Sequence, residues 1–491
     1  MLLSQFPFDG QGTLYEQLAR ALKRAIVEGH FSPGERLPAS RRLARMLGLS
    51  RNTVLTAYEI LSAEQLTVTS DRSGTQVAQF KLPGGLTTAP AALAPQSRYT
   101  ERVRKLGACP LGPQSGSSRY DFYYGGPWVG LDLMRAWTRK LAAAARSAGP
   151  HYPDPTGLPA LRRAIAQYLA RRRGVVCTAD DILIVGGTQQ AVTLAARAVL
   201  NEGETVVLED PHYHRLMEAV TAHGARVVHV RTDAQGIMTD ELHHHRARMI
   251  CVTPSHQFPS GVILTLERRL ALLDIAAKHD SWILEDDYDS EFQYRGRPLA
   301  ALRSLDFSGR VIYVGTFSKT LFPSMRLGFM VCPAGIRDDL RAVKRLDDLG
   351  APAAEQAALA VLLDSGQFER YLRRTVVELD HRRHALLEGL RRFGADHLDI
   401  ADTRAGVHVA AWLNGMTYTD LERLVELAKQ RSLALYPVHP HYHLPPERPG
   451  LLFGYARLAT EAIERACALF GECLEQLEHR RARRTTQTRR A

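Results

Sequence analysis

At 491 residues the chain is too long for one ordinary domain, and its 45% apolar and 23% charged residues suit a protein with a sizeable buried core. It contains no run of about 18 apolar residues, so no membrane helix is expected, and MLLSQFPFDG lacks the basic flank and long apolar core of a signal peptide. The net charge is +11, but six arginines crowd into the last twelve residues, so much of the basic excess belongs to a tail at 479–491, expected to be disordered.

Six scattered cysteines with no C-x-x-C pair read as reduced thiols, which places the expected location in the cytoplasm. Residues 12–29 carry Leu14, Leu18, Leu22 and Ile26 at a spacing of four, a helical stripe stopped by Gly29. The turn PGERLPAS follows, with Ser40 placed to cap a short helix over 41–47 that turns inward Leu43 and Leu47. Gly48 then turns the chain and Ser50 caps a third helix, whose Val54, Ala57, Tyr58 and Leu61 keep helical spacing. LTVTSDRSGTQVAQF alternates as a hairpin with Gly74 near its tip. Three helices and a hairpin over residues 1–80 make a winged helix-turn-helix.

Residues 81–119 lose periodicity and gather Pro, Gly, Ala and Ser, the composition of a flexible linker that carries a basic patch at Arg102, Arg104 and Lys105. From 120 to 478 buried-strand patterns alternate with helices. The strands expected are Ile182–Val185, Thr205–Leu208, Arg226–Val230, Met249–Thr253, Trp282–Glu285, Val311–Val314 and Phe329–Val331, with helices such as 189–200 and 265–279 between them. That order predicts a mostly parallel sheet with helices on its faces, followed by a smaller α+β lobe holding strands at 407–413 and 451–458.

The chemistry concentrates after these strands. Gly315-Thr-Phe-Ser-Lys319 exposes one lysine among small residues at a strand end, with Arg326 seven residues on. A lysine amine that forms a Schiff base and a fixed guanidinium that grips a phosphate are what pyridoxal 5'-phosphate requires. The apolar-then-acidic run Trp282-Ile-Leu-Glu285-Asp286-Asp287-Tyr288 offers Asp286 for the ring nitrogen and Tyr288 for the ring oxygen. Gly186-Gly187-Thr188-Gln189 stands between a strand and a helix, where backbone N–H groups cradle phosphate. Tyr213 follows another strand and can lie over the ring. The histidine groups 243–245 and 439, 441 and 443 lack the partner spacing of a structural zinc site, so no metal is expected.

In the head, GERLPASRRLARMLGLSRNTVLTAYEILSAEQL closely resembles the GntR family of winged-helix repressors, which implies operator DNA contacts from Ser40, Arg41, Arg51, Asn52 and Thr53. The whole chain resembles the MocR subgroup of that family, in which such a head is fused to a fold type I aminotransferase-like body. Pro254-Ser-His256-Gln257-Phe-Pro-Ser-Gly261, Glu285-Asp-Asp-Tyr-Asp-Ser-Glu-Phe292 and Gly315-Thr-Phe-Ser-Lys319 carry the likeness. The resemblance implies Lys319, Asp286, Tyr288, Arg326, Thr188, Gln189 and Tyr213 around the cofactor, and Tyr152 reaching the partner subunit's phosphate in a homodimer. It also implies Arg457, assisted by Arg215, holding a carboxylate. Where working aminotransferases have an asparagine on the ring oxygen, this chain has Phe258. The expected function is a cofactor-dependent DNA-binding transcription regulator that senses an amino compound, or the cofactor itself, through aldimine exchange. The alternative is a working aminotransferase with an accessory DNA-binding domain.

Overall fold

The computed structural model describes residues 8–70, 74–80, 96–107, 118–147, 149, 151–296, 299–394, 397–401 and 405–488. The chain divides into two compact units, Met1–Pro95 and Gln96–Ala491.

In the first unit, helices α1 (Leu14–Val27), α2 (Ser40–Leu47) and α3 (Arg51–Ala63) precede the hairpin β1 (Thr67–Ser70) and β2 (Gly74–Val77), paired antiparallel from Thr67 with Val77 to Ser70 with Gly74. Leu18, Leu22, Ile26, Leu43, Val54, Ala57, Tyr58 and Leu61 form its core. Leu14 is the exception to the predicted stripe: it opens α1 beyond the edge of the trihelical core and stays 53% exposed. Each fully buried leucine contributes roughly 1.5–3 kcal/mol, so Leu61→Ala would cost about 2–5 kcal/mol and threaten so small a core. Ser50 caps α3 as expected, its Oγ accepting from Thr53 N at 3.1 Å. Ser40 does not cap α2; it is the first helical residue, and Ala39 takes the cap position without a side-chain bond.

The second unit opens with α4 (Arg98–Leu106), inside the stretch read as linker. Ser97 caps it, Glu101 lies in its first turn and Arg104 and Lys105 in its last, all favourable to a helix. Arg102 ties it down, donating to Ala222 O at 3.0 Å and pairing with Glu202 at 3.0 Å. Proline and glycine on either side hid this short helix, which buries no residue, from a composition-based reading.

Then come β3 (Tyr120–Asp121), α5 (Leu131–Ser147) and α6 (Pro159–Arg173), followed by β4 (Ile182–Val185), α7 (Thr188–Val199), β5 (Thr205–Asp210), α8 (His214–Ala222), β6 (Arg226–Asp233) and β7 (Gly236–Ile237). The order continues with α9 (Thr239–Leu242), β8 (Met249–Val252), α10 (Leu266–His279), β9 (Trp282–Asp287), β10 (Val311–Thr316) and β11 (Gly328–Val331). The eight-stranded sheet runs β4-β11-β10-β9-β8-β5-β6-β7. All seven expected strands are present. Neighbours pair parallel from β10 through β6, while β11 lies antiparallel to both β10 and β4, so the sheet is mixed. Every residue of β4, β8, β9, β10 and β11 is buried, mostly in apolar runs, with the acidic end of β9 at Glu285, Asp286 and Asp287 as the exception in composition.

Helices α11 (Arg337–Asp348), α12 (Ala353–Asp364) and α13 (Gln367–Gly394) lead to the smaller lobe. There β12 (Leu398–Ala401), β13 (His408–Leu413), α14 (Tyr418–Gln430), β14 (Leu433–Ala434), β15 (Tyr436–Pro437), β16 (Gly450–Gly454) and α15 (Thr460–Thr488) follow. The lobe's sheet is β12-β13-β16-β15. β3 pairs with β14, and Gly454 N donates to Phe122 O at 2.8 Å, so the start of this unit is sewn into its C-terminal lobe. α15 carries helical backbone to Thr488, where a disordered tail was expected from 479; Arg481 bonds Gly415 O and anchors its near end. No helix among the described residues is long and apolar enough to cross a membrane.

Candidate cofactor and DNA-binding sites

The carboxyl ends of the parallel strands meet at one edge of the sheet, the place where open α/β sheets bind ligands. Lys319 follows β10. Ser318 N and Oγ both bond Thr316 Oγ1, at 3.2 and 3.0 Å, which turns the chain out of the strand. Lys319 Nζ donates to Gly125 O at 2.7 Å. Burial pulls its pKa below the usual lysine range, partly offset by the charges of Asp289 and Asp286. A larger share of neutral amine at pH 7 results, which is the nucleophilic form.

Asp286 lies in the buried end of β9, opposite Val314 of β10. Its pKa is pushed up to about 7, first by burial and then by the charge of Asp287, while the Thr188 hydroxyl at 3.3 Å and the charge of Lys319 oppose the shift. A buried carboxylate with no cation in hydrogen-bond reach among the described residues suits an N–H partner supplied by a ligand.

Arg326 caps a short 3-10 turn at φ +50°, a left-handed conformation rare outside glycine. Its guanidinium lies against Gly187, where an added Cβ would sit 3.5 Å from both Nη atoms. Gly328 permits this approach, since a Cβ there would come within 2.8 Å of Gly315 O and 3.0 Å of Gly187 Cα. Gly187 is also the N-cap of α7 and supplies no side-chain cap. A guanidinium with no ion pair among the described residues therefore faces an uncapped helix N-terminus. Two positive ends gathered in this way require an anion, and a phosphate matches the donor set. The side chains of Thr188 and Gln189 are engaged elsewhere, Thr188 with Asp286 and Gln189 Nε2 with Arg215 O at 3.3 Å. Their contribution to an anion is thus the backbone N–H groups of the first turn.

Tyr213 is the N-cap of α8 and packs edge-on to Phe258, ring centroids 5.8 Å apart. The Tyr288 hydroxyl lies 3.0 Å from His256 Nδ1. Arg457 pairs with Asp121 at 3.3 Å, lies over the Tyr123 ring and passes so close to Gly126 that a Cβ there would be 2.4 Å from its Cδ. Arg215 is exposed in the first turn of α8, and its charge and that of Arg457 both act on the Tyr123 hydroxyl. Tyr152 stands apart, 85% exposed, on a loop whose Pro153 touches Gly350. Asp121, Tyr123, Gly125 and His256 were not foreseen. The first three precede the first long helix of the body in a stretch without periodicity, where only the pair Gly125-Gly126 marked a close approach.

His441 and His443 meet His212 and His229, while His439 packs edge-on to Tyr418, ring centroids 5.4 Å apart. His229 stacks on His443 at 4.2 Å, and His212 N donates to His441 O at 2.9 Å. Burial lowers the pKa of His212 and His441 to about 3 and of His229 to about 4, so these imidazoles are neutral.

In the first unit Arg41, Arg51 and Asn52 are exposed, and Arg41, Arg45 and Arg51 line one cleft between α2 and α3. Ser40 and Thr53 are half-buried, and Thr53 Oγ1 is turned to Ser50 Oγ at 2.8 Å. Arg41 and Arg51 thus sit in the first turns of α2 and α3, where helix N-termini add positive potential, the arrangement that holds DNA phosphates.

Residues 14–77 match the family model for bacterial regulatory proteins of the gntR family, and residues 129–438 that for class I and II aminotransferases. The probable rhizopine catabolism regulatory protein MocR of Rhizobium meliloti is 35% identical over 93% of this chain and 92% of its own length. The pyridoxine biosynthesis transcriptional regulator PdxR of Corynebacterium glutamicum is 31% identical over 76% of this chain and 78% of its own. Among solved structures, kynurenine aminotransferase of Pyrococcus horikoshii superposes with a TM-score of 0.67 at 24% identity, covering 78% of this chain and 96% of that one. With its gntR-type head and class I and II aminotransferase body in one chain, the protein belongs to the MocR subgroup of GntR-family transcription regulators.

Proposed function

We propose that this regulator holds pyridoxal 5'-phosphate on Lys319 and couples the arrival of an amino compound there to operator binding by its head. The observation that carries the reading is the Arg326 guanidinium against the uncapped N-terminus of α7, on the same strand ends as Lys319 and Asp286. When bound, the cofactor supplies an aldehyde carbon that exchanges one amine for another. Lys319 holds that carbon through an amine kept partly neutral by burial. Asp286 receives the ring N–H, Arg326 and the first turn of α7 grip the phosphate, and Tyr213 covers the ring. Arg457 and Arg215 take the carboxylate of an incoming amino acid, and Arg457 must be shared with Asp121 or leave it. To regulate, the ligand must bind one DNA-competence state better than the other.

Tyr152 is too exposed to serve the site of its own chain and is read as completing the partner's site in a homodimer. The expected location remains the cytoplasm. Borohydride reduction of the cofactor-loaded protein followed by peptide mapping tests the site: the mass tag belongs on Lys319, and a tag elsewhere refutes the assignment. Catalytic turnover with an amino donor and a keto acceptor would favour the working-aminotransferase alternative.

A further inference from the structure

His256 is 2% exposed, and its Nδ1 lies 3.0 Å from the Tyr288 hydroxyl and 3.0 Å from Asp289 Oδ2. Asp289 is 1% exposed, and its carboxylate finds no other hydrogen-bond partner among the described residues. A buried carboxylate facing a bare imidazole lone pair would be repelled, so Nδ1 carries the proton. His256 Nε2 points the same way: it is buried with no partner among the described residues, a state tolerable for a lone pair and costly for an N–H. The Nδ1 proton is then shared between Asp289 and the Tyr288 oxygen, and Tyr288 can only accept from it. The hydroxyl's own proton is left to point elsewhere.

Packing fixes this arrangement. Gly406, at φ +83°, lies flat against the imidazole, and a Cβ there would come within 2.1 Å of His256 Cε1. Gly406 is itself held, its N donating to Phe292 O at 2.9 Å and its carbonyl accepting from the Tyr294 and Tyr455 hydroxyls at 2.6 Å each. Phe258 closes the other side edge-on to Tyr288, ring centroids 6.1 Å apart, and offers no polar atom. His408 lies 5.4 Å from His256 and bonds Pro259 O rather than Tyr288.

We propose that the pair Asp289–His256 is a positioning device that holds Tyr288 as a hydrogen-bond donor aimed at the cofactor's ring oxygen, in a site where Phe258 provides no donor of its own. The inference rests on the cofactor reading given above. Removing His256 frees the Tyr288 hydroxyl to turn. With one donor fewer on the ring oxygen, the adjacent cofactor-linked nitrogen holds its proton more tightly. A hydrogen bond to a charged group is worth about 1.5–3 kcal/mol, so the pH midpoint of the bound cofactor's visible band should rise by about one to two units.

The test is a pH titration of that band in the full chain for wild type, His256→Ala, His256→Asn, Tyr288→Phe and the double variant. His256→Leu replaces the alanine variant where that one does not fold. We expect His256→Ala to raise the midpoint and His256→Asn, whose amide keeps an N–H near the Nδ1 position, to restore it. The double variant should match Tyr288→Phe, because His256 acts only through that hydroxyl. A midpoint moved by Tyr288→Phe but not by His256→Ala, or fully additive shifts, would overturn the inference. A wild-type protein that gains no visible band on cofactor addition would sink the cofactor reading itself, and this inference with it.

Discussion

Lys319 Nζ donates a 2.7 Å hydrogen bond to the carbonyl of Gly125, a residue 194 positions earlier in the chain. The next residue, Gly126, is covered by the Arg457 side chain. One tight turn therefore touches both the lysine expected to hold the cofactor and the arginine expected to hold a carboxylate. Its backbone is anchored in the smaller lobe through β3, so the lobe sets the spacing between the two ends of a bound amino acid.

Arg326→Ala should weaken cofactor binding by about 10- to 100-fold, the range for losing charge-assisted bonds worth roughly 1.5–3 kcal/mol. Titration of the visible band measures it. Inorganic phosphate should compete with the cofactor in wild type and much less in the variant. Equal affinities in the two proteins would remove Arg326 from the phosphate site.

Asp286→Asn should stabilise the cofactor-free protein while impairing cofactor binding. The folded-state pKa of Asp286 is raised to about 7 by burial and by Asp287, so the contribution from this group is present at low pH and is lost as pH rises from about 4 through 7. At pH 8 the neutral asparagine should gain on the order of 4 kcal/mol over wild type, and the gap should shrink as pH falls toward 4. Thermal melts of the two proteins at pH 8 and pH 5 check the sign; an advantage for asparagine that grows toward low pH would contradict it.

The sheet and the head were legible because their signals are local. Ile182–Val185 was placed to the residue by four apolar positions in a row, and Val54, Ala57, Tyr58 and Leu61 by spacing alone. The placement of Lys319, Asp286 and Arg326 at strand ends was legible because each stands beside a strand-like apolar run. What escaped depends on distant partners. α4 buries no residue and rests on Arg102 meeting Glu202 and Ala222, which no window of sequence contains. Asp121 matters through Arg457 and Tyr436, and His256 through Tyr288, Asp289 and Gly406.

Replacing Arg41 or Arg51 with alanine should weaken DNA binding and leave cofactor absorbance intact. Each lost phosphate contact should also flatten the salt dependence by about one unit of slope. Fluorescence anisotropy across a salt series reads both quantities, and unchanged slopes in both variants would move the DNA surface away from α2 and α3.

If Tyr152 completes the partner's site, the protein is a dimer whenever cofactor is bound. Light scattering at micromolar concentration should give twice the chain mass, and Tyr152→Ala should loosen the cofactor without unfolding the chain, since the side chain is 85% exposed. A cofactor-saturated monomer would leave Tyr152 an ordinary surface residue.

The central claim is that chemistry at Lys319 controls DNA binding, and one comparison tests it most directly. DNA fragments selected by the purified protein itself serve as probe, and their affinity is measured with and without pyridoxal 5'-phosphate and an amino acid mixture, for wild type and Lys319→Ala. Allosteric coupling of about 1–3 kcal/mol would change wild-type affinity by roughly 5- to 150-fold, and the variant should not respond. Identical wild-type affinities under all conditions, or an equal response in Lys319→Ala, would contradict the account.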